Sequence, residues 1–459
     1  MSSQRLAAML AAACCCVPLM AQSAPAPDAV TVLTEHPRLL LRPARLRLLR
    51  RERERQTTRW QQLETLLAGN APMPEPGFAQ ALYYQIAGNA DAGRKAVAWA
   101  LGPGKDLRQL ALVFDWCQDL LSEAQSRTLA ERLEQGMAQT AGDHSIPAVR
   151  SRVLAAVALF DHVPRTPGRE LDHDIHQWWA GQIVPQLAAG HDVIPRDDAY
   201  ALFELLHVIR DSTDQDLREA CPRFFEDFPI EHLLSYYPAP FQGSENDFHI
   251  GIMAKPGEPD LRVAALSRAA ELEMVAFDTN APQSQVLQGW LMHDHFMLRG
   301  TFGAPYEFLW ANPYQPGLSY YHVPLVYHNP DFGRLFVRSS WDDSATWFGY
   351  FDGVAQLFQN GRGTVLNPRL AQKPLSLTEA IILLGQNLGP FQLKLQEDEP
   401  VFLVGLQPRQ TYEVEIDDEE MYEAATDPGG ILELELPPGK QVGVRLRVAP
   451  KTAASKPSL

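Results

Sequence analysis

The sequence predicts a multi-domain α-plus-β chain: a helical N-terminal part arranged as a closed barrel of hairpins, then a C-terminal antiparallel β-sandwich. Three observations predict it. Apolar residues recur with the helical period from Arg38 to about Arg299. Residues 303–322 are rich in Gly, Pro and aromatics and carry no such period. From Val323 onward, short apolar runs and period-two alternation alternate with Pro/Gly turns.

The first element is a targeting segment. An early positive charge at Arg5, an apolar stretch from Leu6 to Met20 and small residues after it read as an export signal over residues 1–24. The expected location is therefore periplasmic or secreted, with lipid attachment at Cys14 as the alternative. The stretch is too short and too rich in small residues to span a bilayer, and no later stretch is long and apolar enough. Three of the five cysteines lie in the signal, leaving Cys117 and Cys221. These two form either one disulfide or two free thiols. No zinc-type spacing occurs, so no metal or other cofactor is expected.

The helical part, residues 30–302, follows. Its windows are 57–68, 79–88, 92–101, 106–121, 148–161, 172–189, 197–211, 216–225, 260–277 and 284–298. In 106–121, Leu107, Leu110, Leu112, Val113, Trp116 and Leu120 share a broad face. Ser122 with Gln125 three residues later forms a capping-box pattern that starts the next helix. Short Gly/Pro/Asp loops make neighbouring helices antiparallel. No strict repeat is visible, which favours a closed barrel over a solenoid. The Arg-rich run 42–59 reads as a solvated helix face, with polyanion binding as the alternative.

Residues 303–322 read as an aromatic loop at the seam between the two parts. Residues 333–353 then read as the first β-hairpin, with an acidic turn. Residues 400–406, 411–416, 431–436 and 440–448 supply further strands; Tyr412, Val414 and Ile416 fall on one face, Glu413 and Glu415 on the other. The β part runs over 323–449, and 450–459 reads as a disordered tail.

Charge narrows the partners. A formal charge of −16 argues against nucleic acid as the main partner, because phosphate binding needs a basic footprint. An acidic ligand would need a local basic pocket.

The segments "EHPRLLLRPARL", "ALVFDWCQDLLSEAQ" and "FVRSSWDDSATWFGYFDG" resemble the heparinase II/III-like polysaccharide lyases, relatives of the alginate and oligoalginate lyases. The resemblance covers the order of both parts. It implies an incomplete α/α toroid followed by a β-sandwich, and a lyase that cleaves uronic-acid glycans by β-elimination. In that chemistry Asn, His or Arg neutralises the uronate carboxylate, while Tyr or His moves the proton. The implied partner is an acidic polysaccharide or oligosaccharide. The sequence departs from the family pattern: Asp197 and Asp198 stand where an Asn-His pair is expected, and no histidine follows His328. A non-catalytic glycan-binding protein and a glycoside hydrolase using paired carboxylates such as Asp197, Asp198 and Glu245 are therefore carried as alternatives.

The candidate catalytic residues are His249, Tyr320 and His207. Those for substrate binding are Asn246, Tyr314, Arg338 and Trp310. His249 and Asn246 lie in a polar loop; His207 shares a helix face with Glu204 and Asp211. Tyr314, Tyr320 and Tyr321 lie in the seam loop, suited to stacking and proton transfer or to packing. Trp290 and Trp310 offer a sugar platform or core packing. Arg338 would clamp a carboxylate or pair with Asp342 or Asp343. His293 and His295, two apart, point to different sides of a helix and are not expected to share a metal. The acidic run 415–427 lacks calcium-loop spacing. All the candidates but Trp310 are expected to line one groove where the two parts meet.

Overall fold

The computed structural model describes residues 30–242, 247–253, 259–294, 297–370, 373–385, 390–396 and 398–450. The expected export signal at 1–24 with Cys14, and Asn246, Glu245, His295 and residues 451–459 of the tail, lie outside the described residues.

The first part is helical: α1 (Pro43–Glu54), α2 (Thr58–Ala68), α3 (Pro76–Ala87), α4 (Ala90–Leu101), α5 (Leu107–Trp116), α6 (Glu123–Thr140) and α7 (Ile146–Leu159). It continues with α8 (Thr166–Asp172), a π-helical stretch His173–Ile183, α9 (Val184–Ala188), α10 (Ala199–Thr213), α11 (Pro222–Leu234), α12 (Leu261–Phe277), α13 (Pro282–His293) and α14 (Gly300–Trp310). The expected capping box is present: Ser122 accepts from the Gln125 amide and Gln125 returns to the Ser122 amide.

Packing runs in series, α3 on α5, α5 on α7, α7 on α10, α10 on α12 and α12 on α14; α14 then returns to α2 and α3. The series members are buried nearly all round, and every residue of α5 is buried, as helices surrounded by other helices must be. By contrast α6 buries only Leu129, Leu133 and Met137, one stripe at fourfold spacing.

Two expectations need correction here. The segment 303–322 is not a loop throughout, because α14 occupies Gly300–Trp310. Gly300, Gly303 and Pro305 mask its period, but Ala304, Tyr306, Phe308, Leu309 and Trp310 are all buried; packing overrides weak propensity. Nor do residues 216–225 form one helix. Leu217–Ala220 is a 3-10 turn, and α11 begins afresh at Pro222, which cannot continue a helix but suits its first turn.

After a two-residue hairpin, β1 (Phe241–Gln242) with β2 (Asp247–Phe248), the strands begin at Val326. The first sheet is an antiparallel meander of β3 (Val326–Asn329), β4 (Arg334–Arg338), β5 (Trp347–Phe351), β6 (Val354–Gln359) and β7 (Arg362–Leu366). The hairpin expected at 333–353 is β4–β5, the second of this meander. Then follow β8 (Leu375–Leu377), β9 (Ala380–Leu384), β10 (Phe391–Lys394), β11 (Val401–Val404), β12 (Thr411–Ile416), β13 (Glu420–Ala425), β14 (Ile431–Leu434) and β15 (Gln441–Val448). The second sheet has the order β14-β11-β9-β8, the third β10-β15-β12-β13.

The sheets are not purely antiparallel as expected, since β9 and β11 pair in parallel. The reason lies in burial. One face of the second sheet, with Ile382, Leu384 and Phe402, packs with Leu335, Val337 and Phe348 of the first. Its other face, with Ile381, Leu383 and Leu403, packs with Val414 and Val442 of the third. Both β9 and β11 are buried at every residue, and sheets covered on both faces are where parallel pairing is found. The first sheet's remaining face joins the helices: Phe336, Trp347, Phe351 and Phe358 belong to the helical core.

Cys117 and Cys221 are both free, Cys117 buried and Cys221 half-buried, which settles that alternative. No helix of the described residues is long and apolar enough to cross a membrane.

Candidate functional site

At the seam lies a cavity of about 600 Å³, within the size of ordinary ligand sites. Its walls come from the turn before α10, from α11 and α12, from residues 248–253, and from β4, β5 and their flanks. Polar cross-links hold the seam. The Trp347 indole donates to the Leu234 carbonyl at 2.8 Å. The Tyr237 hydroxyl donates to Gln356 Oε1 at 2.7 Å, and Gln356 Nε2 donates to the Met253 carbonyl at 2.6 Å.

The chemistry centres on Glu271, which is fully buried on α12. The Tyr236 hydroxyl donates to its two oxygens, at 2.6 and 2.5 Å. His232 Nδ1 donates to Oε1 at 3.3 Å, and the Arg196 guanidinium lies 3.4 Å from the same oxygen. Arg196 is itself held by Ser267 Oγ at 2.8 Å and Ser235 Oγ at 2.6 Å. Local structure sets these positions. Asp260 caps α12 by accepting from Arg262 and Val263 amides. Spacing by four along α12 brings Ser267 and Glu271 to one face. His232 and Tyr236 flank the end of α11. Gly251 pairs opposite Tyr236, and a Cβ there would stand 2.4 Å from the Arg196 guanidinium. Only glycine leaves the arginine its place.

Burial alone would raise the Glu271 carboxyl. The His232 hydrogen bond and the Arg196 and Arg268 charges overcome it and hold the carboxyl below its usual range. Burial, reinforced by the Arg196 charge, pushes the His232 imidazole down to about 4. Burial and the Glu271 charge push the Tyr236 phenol well up. At neutral pH the set is thus a carboxylate, a neutral imidazole and a protonated phenol. His232 Nε2 has no hydrogen-bond partner among the described residues, and His232 lines the cavity.

A second group adjoins it. Arg268 lies 3.2 Å from Asp294 Oδ2, and Asp294 Oδ1 accepts from His249 Nδ1 at 2.7 Å. His249 Nε2 faces the Pro238 carbonyl at 2.8 Å and Asp343 at 3.3 Å. On the far wall Arg334 lies 2.5 Å from both Asp192 and Glu231.

The structure divides the residues expected to share one groove. Of those described, only His249 lines the cavity. Both its nitrogens already face oxygens, so neither is left to take a substrate proton. Tyr320 and Arg338 sit behind it. The rings of His249 and Tyr320 lie 4.9 and 5.1 Å from that of Trp290, so the two share one neighbourhood. Yet Tyr320 is only 3% exposed, and Arg338 is fully buried over the Trp341 ring at 4.5 Å. Arg338 donates to the Ser340 carbonyl and forms no ion pair with Asp342 or Asp343 among the described residues. Burial pushes its guanidinium down to about 10. His207 and Trp310 are corrected more strongly: their rings lie 4.9 Å apart, tilted, inside the helical core, and Trp310 is fully buried. Tyr314 is exposed against Arg55.

Sequence reasoning missed Arg196, His232, Tyr236, Arg268 and Glu271. One signal was available: Arg268, Glu271 and Glu273 interrupt the otherwise apolar run of α12, and all three are buried. No protein-family model matches the chain, and no curated protein matches it.

Proposed function

We propose that the seam cavity is a glycan site, and that the chain is a periplasmic or secreted polysaccharide lyase-like protein acting on uronic-acid glycans by β-elimination. The observation that carries the reading is the Glu271–His232 pair. A buried carboxylate orients a neutral imidazole whose other nitrogen is free at the cavity wall, beside a protonated tyrosine and two guanidiniums. In this reading His232 Nε2 takes the proton next to the uronate carboxylate. Arg196 and Arg268 balance the charge that develops there. Tyr236, its hydroxyl donating to Glu271, holds that carboxylate in place, and the imidazolium formed at His232 returns its proton to the departing glycosidic oxygen, leaving an unsaturated sugar and a free hydroxyl. The order of helix packing, returning from α14 to α2 and α3, and the stacked sheets after it support the toroid and sandwich of the heparinase II/III-like lyases. An export signal at residues 1–24 agrees with a polymeric substrate outside the cytoplasm.

The experiment is incubation with uronate polymers, following the ultraviolet absorbance of the unsaturated product. Its absence in the wild-type protein would remove the lyase reading.

One observation favours a second reading. The cavity wall carries Asp192, Asp197, Asp227, Glu231, Asp260 and Asp352 against Arg196, Arg268 and Arg334, an acidic balance that suits a neutral or amino sugar better than a polyuronate. Burial, above all, raises the carboxyls of Asp192 and Asp227, as a hydrolase needs of its general acid. New reducing ends without the unsaturated product identify that chemistry. Binding with neither product identifies a glycan-binding protein.

A further inference from the structure

Where the segment that precedes α1 meets the turn after α7 lies a cluster the cavity does not use. His36, Asp161 and His162 each offer one ligand atom, and the three atoms lie within 4.8 Å of one another. We infer that they form a binding site for a divalent transition metal, taking Zn²⁺ in a tetrahedral set of two imidazoles, one carboxylate and a water, with the Arg38 guanidinium as its built-in competitor.

Spacing is the first argument. His36 Nε2 and His162 Nε2 are 3.4 Å apart. Two nitrogens on one zinc at about 2.0–2.1 Å stand roughly 3.3 Å apart along a tetrahedral edge. Asp161 Oδ1 lies 3.7 Å from His162 Nε2, close to the same edge.

The second argument is the support behind His36. Its Nδ1 donates to Asp115 Oδ1 at 2.6 Å, and the Asp115 side chain is fully buried. Asp115 Oδ2 also accepts the backbone amides of Arg38 at 3.0 Å and Leu39 at 2.9 Å. A fixed carboxylate of this kind sets the tautomer and leaves Nε2 as a lone pair, the arrangement that orients metal-bound histidines. Access is open: the side chains of His36, His162 and Asp161 are 18%, 25% and 33% exposed.

Arg38 supplies the third argument and the obstacle. One of its guanidine nitrogens hydrogen-bonds both His36 Nε2 and Asp161; another donates to the Leu33 carbonyl at 2.9 Å. The donors therefore already surround a positive group. A metal displaces that one nitrogen while the Leu33 contact stays. Gln118 Nε2, 3.4 Å from His162 Nε2, is placed to swing toward the metal-bound water. No electron transfer or bond cleavage is involved; His162 binds through a neutral nitrogen, and any proton it carries is released to solvent.

The test uses the untagged, chelator-treated chain. Co²⁺ is titrated in, the visible absorption of tetrahedral cobalt is followed, and Zn²⁺ is added as competitor. One equivalent of cobalt, displaced by zinc, is expected. His162→Gln and Asp161→Asn, both near the surface, should each weaken binding about tenfold or more, with circular dichroism unchanged. Arg38→Leu should tighten it. Wild-type protein without the absorption, or His162→Gln and Asp161→Asn binding as wild type does, would overturn the inference. So would binding confined to Arg38→Leu, which makes the guanidinium a permanent occupant.

Discussion

Two buried carboxylates on adjacent helices of one packing series have nearly the same partners and opposite prospects. Glu204 on α10 accepts from Arg108 at 2.7 Å, from Arg150 at 2.5 Å and from the Tyr200 hydroxyl at 2.9 Å. Glu271 on α12 has a tyrosine, two arginines and a histidine. Around Glu204 the donors close the set: burial opposes ionisation, but the Arg108 and Arg150 charges hold the carboxyl down to about 2, and the residue does not line the seam cavity. Around Glu271 one partner is an imidazole with a free nitrogen on a cavity wall. The difference teaches that buried charge alone does not mark a site. What marks it is one partner left incomplete where a ligand can reach.

The comparison can be broken first at Glu204. Glu204→Gln takes the main counter-charge from Arg108 and Arg150, leaving Arg108 with Glu75 at 3.4 Å, and should destabilise by about 3–5 kcal/mol, read from urea unfolding. A loss below about 1 kcal/mol would mean that the closed set is not structural. Next comes His232→Gln. On the proposed lyase reading it should lower turnover by about 10²–10⁴-fold, with a smaller stability loss than Glu204→Gln. Equal stability losses with turnover retained would make the two sets alike.

Two histidines sharpen the comparison by pH. His232 sits at about 4 in the fold against an ordinary 6.5. The unfolded chain takes up its proton first, so stability falls as pH drops from 6.5 toward about 4. His328 has the opposite sign. Burial would lower it, but Asp427 at 3.0 Å and Glu433 at 3.1 Å raise it to about 9. Its contribution is present below 6.5 and lost as pH rises toward about 9. A tenfold change in proton affinity on folding corresponds to about 1.4 kcal/mol. Thermal melts of His232→Gln and His328→Gln should flatten the acid and alkaline limbs respectively.

His249→Ala should cost about 1–3 kcal/mol, because Asp294 loses a buried partner; unchanged stability with abolished turnover would return His249 to the chemistry. The smallest effect is expected at Glu273. Burial, with the Glu204 charge added, raises its carboxyl well above normal, and neither oxygen has a hydrogen-bond partner. The fold thus disfavours its charged form, with His207 Nδ1 facing it at 3.5 Å, and Glu273→Gln, which keeps the shape and removes the charge, should leave stability within about 0.5 kcal/mol.

Much of the fold was legible because its signals are local. The change of period puts the α-to-β junction between 302 and 323; helix ends at Trp310 and strand begins at Val326. Tyr412, Val414 and Ile416 do share the buried face of β12. The parallel β9–β11 pair was hidden, since buried runs such as Val401–Val404 carry no direction. The site was poorly legible for a different reason. Arg196, His232 and Glu271 come from three separate elements, and their meeting depends on packing angles no window contains. His249 was found because it sits in a polar loop, while Trp310 looked available only because burial cannot be read from an aromatic residue alone.

The return of α14 to α2 has a consequence for how the chain is made. Arg59 pairs with Glu307 at 2.9 Å across 248 positions, and Trp60 packs on Phe308 at 5.5 Å. During synthesis α2 can stack Trp60 on Tyr83 early, at 5.4 Å, but meets Glu307 and Phe308 only when almost the whole helical part has emerged. A nascent chain that cannot close early keeps apolar helix faces open for most of its synthesis.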